Sequence, residues 1–591
     1  MLNVQSERVD YRELLTPPPC YKVEFIVGTT YSLDLETLTA ICAIIGLNID
    51  ADSELRESPL HLLEAIRKAS GKLLIFCQGG RIAVPGKPNK LLPLLENCVV
   101  EVNLPNKCSF HPKTWFIKYT SKGLPDKFRI IIMSRNFTFD RSWDVALCLE
   151  SAELGEETIE QSKDNGEALS SFITWLMKDS LPHNEQMRKK NRKLSLLSAE
   201  ISNAEWKYLG KEFEGFRFIP YGIGYSSQDS LNEKFQNMFV ISPFISKSII
   251  EGYASKRLAH SDCTLITRKS ELSKLTPELL EVFNTYTIKD DVVDGEERIS
   301  DSGDIKTQDI HAKVYLRTRD SKSELYIGSA NASYKAFYGG NVECLVLLWG
   351  KKSNLNVEKL KLDLFGSDEK SNPFERVEPR QYTILDEDAD MKLLEDELRD
   401  FCMIKKEARI TGKEPYTTTV TLEPFHADAK VFLRPLMKTR EPKQSISERM
   451  VFPGFRLGEL SEWYVVYAKS GKSEISRVIK INTSNIPSDR DSAIFSEIVK
   501  DKNEFLSYIA FLLSDNYLST FLESVKSGKG DYRFLNMNFD TPILYERLLK
   551  AALYDPESLR DVRDVIALAN DNIVPQDFLK LYEQFEKVVK P

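Results

Sequence analysis

The sequence lacks any apolar run approaching the roughly 18 to 20 residues that a membrane-spanning helix needs. No membrane association is therefore expected. Its opening stretch, MLNVQSERVDYRELL, is charged and has no apolar centre; a secretory signal is not expected, and a cytoplasmic location is. Cysteine pairing signals are missing too. The nine cysteines (Cys20, Cys42, Cys77, Cys98, Cys108, Cys148, Cys263, Cys344 and Cys402) form an odd count without a C-x-x-C pair, so buried free thiols are the expectation rather than a disulfide framework. The six histidines show no H-E-x-x-H or Cys/His ligand spacing, and no metal or other cofactor is expected. Net positive charge is absent as well: 80 Lys and Arg against 88 Asp and Glu give −8, which is not the overall balance of a nucleic-acid binder. The acidic residues concentrate at 290–304 and 385–400. The remaining surface is then closer to neutral and able to hold a local basic groove.

What is present is an ordinary globular composition, 42% hydrophobic and 28% charged, in a chain of 591 residues, long enough for three to four domains. A polar extension over 1–20 ends in TPPPC. From Tyr21 strand-like runs alternate with helical patterns: KVEFIVG, a helix from about Asp34, PLHLLEAIRKAS, KLLIFCQ. A helix over GEETIEQSKDNGEALSSFITWLMKD is expected to bury Phe172, Trp175 and Leu176. The plan then repeats: strand FRFIPYG, a helix around Leu231 to Phe235, strand MFVISPF, helix SKSIIEGYASKRL, strand CTLITRK, and helix SKLTPELLEVFNTY. Strands alternating with helices predict α/β layering. Beyond about residue 380 the pattern becomes β-rich, with TTTVTLEPFHADAKVFLRPLM and SEWYVVYAKSGKSEISRVIKINT read as hairpins, and residues 484–591 read as helices.

The chemistry-bearing residues recur in two copies. In SFHPKTWFIKY, His111 and Lys113 stand two apart; in RIIIMSRNF, Ser134 and Asn136 follow; and Asp144 opens the apolar run DVALCLE. The second copy has His311 and Lys313 in IHAKVYL, Ser329 and Asn331 in LYIGSAN, and Glu343 opening ECLVLLW. Residues two apart on a strand share a face, so each copy is expected to present an imidazole, an ammonium, an amide and a carboxylate together.

This duplicated H-x-K…S-x-N pattern resembles the phospholipase D superfamily, over roughly residues 21–350. The resemblance implies an α/β fold class: two phospholipase D-like α/β/α halves forming a pseudo-twofold pair (21–185, and linker plus second half 186–380), followed by a β-rich region (381–483) and a helical C-terminal region (484–591). The superfamily's better-known form has an Asp five residues after the Lys, where this chain has Lys118 and Thr318, and Gly328 precedes Ser329 where Met133 precedes Ser134. The H-K-N variant looks more like tyrosyl-DNA phosphodiesterases and several bacterial nucleases than the lipid-cleaving members. It implies a metal-independent phosphodiesterase acting on nucleic acid, DNA in the first instance, with His111 attacking phosphorus and His311 as the acid. Lys113, Lys313, Asn136 and Asn331 would hold the non-bridging oxygens. Asp144 and Glu343 would orient the histidines, and Ser134 and Ser329 would support them. With both half-sites in one chain, no oligomer is needed to complete the centre. Similar bacterial proteins serve restriction or anti-phage systems beside a helicase partner. Adduct removal from DNA ends, phospholipid cleavage and a non-catalytic binding module remain alternatives.

Other features carry two readings each. MRKKNRKL in the 181–205 linker is either a phosphate-backbone contact or a solvated helix. Tyr334, Phe337 and Tyr338 either stack on bases or pack the core. His61 reads as a packing or surface histidine, and His183 and His260 receive no role. His426 and Lys430 have the wrong spacing for a third site, and the GKS at Gly471 lacks the upstream glycine of a phosphate loop. The acidic run before His311 is expected to be a loop near the catalytic centre.

Overall fold

The computed structural model describes residues 9, 11–47, 59–139, 142–153, 155–179, 184–225, 231–289, 309–366, 372–383, 389–513 and 541–589. His183 and the acidic run at 290–304 lie outside them. No helix among the described residues is long and apolar enough to cross a membrane.

Two mixed sheets dominate the first 380 residues. The first runs, edge to edge, Val99–Val102, Leu73–Gln78, Lys22–Thr30, Thr114–Ser121, Leu124–Met133 and Ala146–Glu150. In the second, the consecutive strands Thr285–Ile288, Arg257–Ile266, Phe235–Ile241, Val314–Arg319, Lys322–Gly328 and Glu343–Lys351 repeat that order. The directions repeat as well. In each sheet the first three strands are parallel and the following ones antiparallel. Gly215–Tyr221 and Phe374–Arg376 extend the two edges of the second sheet.

The strands read as continuous apolar runs because both faces are covered. Alternation still decides which core each side chain enters: Phe25 and Val27 point into a core shared with the second sheet, which contributes Val314, Leu316, Leu325 and Leu348. Ile26 faces the opposite way, with Trp115 and Ile117, toward the C-terminal helices. The helices Ser162–Leu176, Glu185–Ile201 and Val357–Phe365 supply Phe172, Leu176, Leu194, Leu197, Leu360 and Leu364 to the shared core. Trp175 is only half-buried, its ring stacked on Phe110 at 6.1 Å. The second sheet's other face holds Tyr315, Tyr326 and Leu345.

Several expectations need correction. No helix forms at Leu231 to Phe235; Leu231 is buried in a turn and Phe235 already begins its strand. Of SKLTPELLEVFNTY only Pro277–Val282 is helical, capped by the Thr276 hydroxyl; Ser273 and Lys274 end a 3₁₀ turn, Lys269–Lys274, and Thr285 begins a strand. Pro277 cannot donate a backbone hydrogen bond and so belongs at a helix start, not inside one. TTTVTLEPFHADAKVFLRPLM is not a hairpin. Tyr416–Leu422 pairs with Lys406–Thr411 and Arg449–Phe455, while Lys430–Pro435 joins a different sheet beside Trp463–Ser470. The seven residues between these strands exceed the short loops that keep hairpin neighbours paired. The other hairpin, Trp463–Ser470 with Ser473–Lys480, forms as expected and turns at Gly471, whose φ of 56° suits glycine.

The β-rich region is welded to the first half. Its hairpin continues into the short strands Ile82–Ala83 and Leu33–Asp34. Trp463 donates its indole N–H to the Leu92 carbonyl (3.0 Å). The buried Arg490 guanidinium meets the buried Glu96 carboxylate at 2.7 Å. Six cysteines are buried; Cys108 and Cys148 are half-buried and Cys20 is exposed at the end of the proline run.

Candidate active site

Each H-x-K tripeptide occupies an irregular step just before its strand, not a regular strand face as expected. Pro112, in the first copy, has no N–H to give a ladder. The lysines instead fold back on their own histidines: Lys113 Nζ donates to the His111 carbonyl (3.0 Å) and Lys313 Nζ to the His311 carbonyl (2.5 Å). Both lysines are buried.

The two steps are stitched reciprocally. Phe110 bridges to Val342, and His111 N–H donates to the Val342 carbonyl (2.9 Å). Asp309–Ile310 pairs with Ser142–Trp143, and the His311 and Ala312 N–H groups both donate to the Trp143 carbonyl at 3.0 Å. Each histidine is thereby placed beside the residue preceding the other half's acidic residue. Gln78 fixes the first step by accepting from Phe110 N–H (2.7 Å).

The serines hold the carboxylates. Ser134 Oγ donates to Asp144 (2.7 Å), accepts from Val145 N–H (3.0 Å), and its own N–H reaches the Val145 carbonyl (3.0 Å). Ser329 makes the same set with Glu343 (2.5 Å), Cys344 N–H (2.9 Å) and the Cys344 carbonyl (2.9 Å). Gly328 is required by proximity: a Cβ there would stand 2.2 Å from the Cys344 carbonyl oxygen. Asn136 Oδ1 accepts from Ser32 N–H (3.4 Å) in the loop after the first strand. Asn331 lies one residue beyond the buried Ala330, its backbone carbonyl turned to Ser333 N–H (2.7 Å).

Glu343, from the second half, reaches across to the first: its Oε2 lies 3.0 Å from His111 Nδ1. On the other side of the ring, Nε2 lies 3.0 Å from Lys113 Nζ. A carboxylate at Nδ1 and an ammonium at Nε2 fix the neutral tautomer with its proton on Nδ1 and its lone pair on Nε2. Burial pulls the His111 pKa down to about 4; Glu343 opposes that pull, and the charges of Lys113 and Lys313 add to it. Asp144 accepts from Ser142 Oγ (2.5 Å) in addition to Ser134.

Sequence reasoning missed the wall beside His111. Tyr31 packs on the imidazole (centroids 5.1 Å apart), Arg81 lies over Tyr31 (5.1 Å), and Glu395, from the helix Ala389–Met403, grips Arg81 through two hydrogen bonds of 2.9 and 2.7 Å. Residues this far apart along the chain leave no local signal. Of MRKKNRKL, Lys190 is a core residue, its Nζ donating to the carbonyls of Leu73 and Asn97. Arg188 pairs with Glu185 and Lys193 with Glu24. Phe337 packs on Tyr221 and Tyr315, whereas Tyr334 and Tyr338 are exposed. His61 is buried against Phe511. His260 and His426 are surface residues, the former at a positive φ of 59°. Lys118 is paired with Asp126 and Glu200, and Thr318 is buried. Among the described residues no group of three or more His, Cys, Asp or Glu side chains is placed to hold a metal ion.

No family model and no curated protein matches the chain. Among solved structures, with TM-scores too low for the likeness to carry an argument, the chain is similar to the yeast tyrosyl-DNA phosphodiesterase (15% identity, 56% of this chain and 84% of that chain, TM-score 0.33) and to the phosphatidylserine synthase of Haemophilus influenzae Rd KW20 (11% identity, 66% and 88%, TM-score 0.32).

Proposed function

We propose that the chain is a phosphodiesterase that works through a covalent phosphohistidine, and that its substrate is DNA. The observation that supports it most is the His111 imidazole held between Glu343 and Lys113 with a pKa near 4. At neutral pH such an imidazole is an unprotonated nucleophile. In the first step His111 Nε2 forms a bond to phosphorus, the bond to the leaving oxygen breaks, and protonated His311 gives that oxygen its proton. In the second, His311 takes a proton from water, the water oxygen attacks phosphorus, and the P–N bond breaks. Lys113, Lys313, Asn136 and Asn331 hold the non-bridging oxygens, whose charge grows in both transition states. The ammonium groups supply that charge stabilisation, so the scheme calls on no metal. A restriction or anti-phage role with a helicase partner follows from the resemblance of the motifs.

The test is cleavage of single- and double-stranded DNA in excess EDTA at low salt by the wild type and by His111→Ala. Cutting that survives EDTA and disappears with the substitution is expected, and EDTA-resistant cutting unchanged by it would overturn the assignment. The acid limb of the wild-type pH profile set by His111 is expected near pH 4, since the ring must lose its proton to attack.

Glu343→Gln is expected to lower kcat by about 10³ to 10⁴, with little change in KM, because an amide no longer dictates the Nδ1–H tautomer. Ser329 Oγ still has the Cys344 N–H and carbonyl as partners, so the fold should persist. A variant with wild-type kcat would remove Glu343 from the mechanism.

A further inference from the structure

The two halves expose aromatic rings at corresponding places beside their motif asparagines. Phe139 comes three residues after Asn136, and Tyr334 three after Asn331. Their backbone N–H groups are held alike, Phe139 to Asp34 Oδ2 (3.1 Å) and Tyr334 to Ser246 Oγ (3.0 Å). Asp34 and Ser246 also correspond: each donates its N–H, at 2.9 Å, to the carbonyl of the residue after the asparagine, Phe137 and Ala332 respectively. Phe139 is 41% exposed and Tyr334 56%. On the second half the patch widens. Tyr338, 59% exposed, lies 5.7 Å from Tyr334, and Phe244, 45% exposed, carries the Arg268 guanidinium 4.3 Å above its ring. Arg268 also donates to the carbonyl of Ile310, the residue before His311 (3.3 Å).

Single exposed aromatics are common and need no explanation. Rings at the same register in both halves, each a few residues from a group that would grip the reacting phosphate, are a different matter. Neighbouring Phe337 is packed inward, so exposure here is selective. A duplex hides the faces of its bases in its own stack; an unpaired strand offers them, and every base has a face to offer. A cation over an aromatic ring strengthens such a platform and favours a polyanionic strand.

We infer that Phe139 on one side, and Tyr334 with Phe244 and Tyr338 on the other, are stacking platforms for unpaired bases flanking the reacting phosphate, which makes single-stranded DNA the substrate. This inference rests on the phosphodiesterase reading. It is tested by fluorescence anisotropy in the His111→Ala background, where the probe stays intact, with three labelled probes of equal length: single-stranded DNA, an abasic single strand, and a duplex. The base-bearing strand is expected to bind about tenfold more tightly than the abasic one. Phe139→Leu and Tyr334→Leu, which keep apolar bulk but remove the ring, are each expected to narrow that ratio several-fold by weakening the base-bearing complex alone. Tyr334→Phe should restore it. A ratio unchanged by the leucine substitutions, equal weakening of both single strands, or duplex binding as tight as single-strand binding would overturn the platforms. Hydrolysis of bis(p-nitrophenyl) phosphate by the wild type, a substrate without bases, judges the phosphodiesterase reading separately: its absence refutes that reading, while the binding ratios still judge the platforms.

Discussion

His311→Ala is expected to release about one equivalent of p-nitrophenolate per chain from bis(p-nitrophenyl) phosphate in a rapid burst and then nearly to stop, with later turnover down by about 10² to 10⁴. The two histidines separate in time under the proposed mechanism. p-Nitrophenolate is stable as an anion and leaves without a proton, so the first step needs His111, Lys113 and Glu343 but not the acid. The second step needs a base for water, and that base is gone. The p-nitrophenyl phosphoryl group therefore stays on His111 Nε2, the second aryl ester still on phosphorus, and should be recovered by mass spectrometry in the peptide that contains Phe110 and Lys113, and be lost in acid. With DNA, whose leaving alkoxide requires protonation, the same variant should fail at the first step and show no burst. The contrast between substrates is the informative part. Steady hydrolysis without a burst, or a phosphoryl group found on His311 in the wild type, would reverse the roles or remove the covalent intermediate.

The parts of this site that the sequence made legible are those in which chemistry is local. His111 and Lys113, or Ser329 and Asn331, stand two residues apart, so the pattern could be seen in each copy and then in its repetition. The succession of strands along the chain was legible in outline because strands buried on both faces write themselves as apolar runs, while their order within each sheet was not. What could not be read was anything decided by contact between distant segments. His111 takes its partner from 232 positions away, and Tyr31, Arg81 and Glu395 form a wall from three separate stretches. Periodicity also misled where contacts from afar override it. The Val342 and Trp143 carbonyls draw the two H-x-K steps out of the strand faces they were expected to share, with Pro112 in one copy and Ala312 in the other, and Pro277 starts a helix later than the pattern suggests. Lys190, within a basic run that looked like a phosphate contact, is buried, because one turn of a helix places it over the carbonyls of Leu73 and Asn97 while its neighbours reach water. Charge runs report composition, and only the helix phase assigns each charge to core or solvent.

Arg490→Met is expected to cost about 3 to 5 kcal/mol, the usual penalty for breaking a buried ion pair from one side, and to do so at the seam between the first half and the β-rich region. Glu96 is 2% exposed and accepts from Arg490 (2.7 Å) and from Glu462 N–H (2.7 Å). Burial already raises its pKa, Arg490 opposes that rise, and the Glu462 carboxylate adds to it. Without the guanidinium, Glu96 must either remain charged beside another carboxylate or take up a proton. A carboxyl whose pKa is raised on folding favours the folded state below its unfolded value, and that advantage is lost as pH rises through the folded one. The variant should therefore be least destabilised near pH 4 and lose further stability toward neutrality, a pH dependence steeper than that of the wild type. Intrinsic tryptophan fluorescence, to which Trp463 contributes with its indole N–H bonded to Leu92 at the same seam, follows urea unfolding. Adding Glu96→Gln to Arg490→Met removes the stranded charge and should recover part of the loss, a coupling expected of residues in direct contact. If the single variant unfolds at the wild-type urea midpoint, or the double variant is no more stable than the single one at pH 7, the pair does not secure the seam. The consequence for the site follows from the same sheet: Leu33–Asp34 and Ile82–Ala83 tie this region to the loops carrying Tyr31 and Arg81. A loosened seam should lower kcat through the ring packed on His111 before the chain as a whole unfolds.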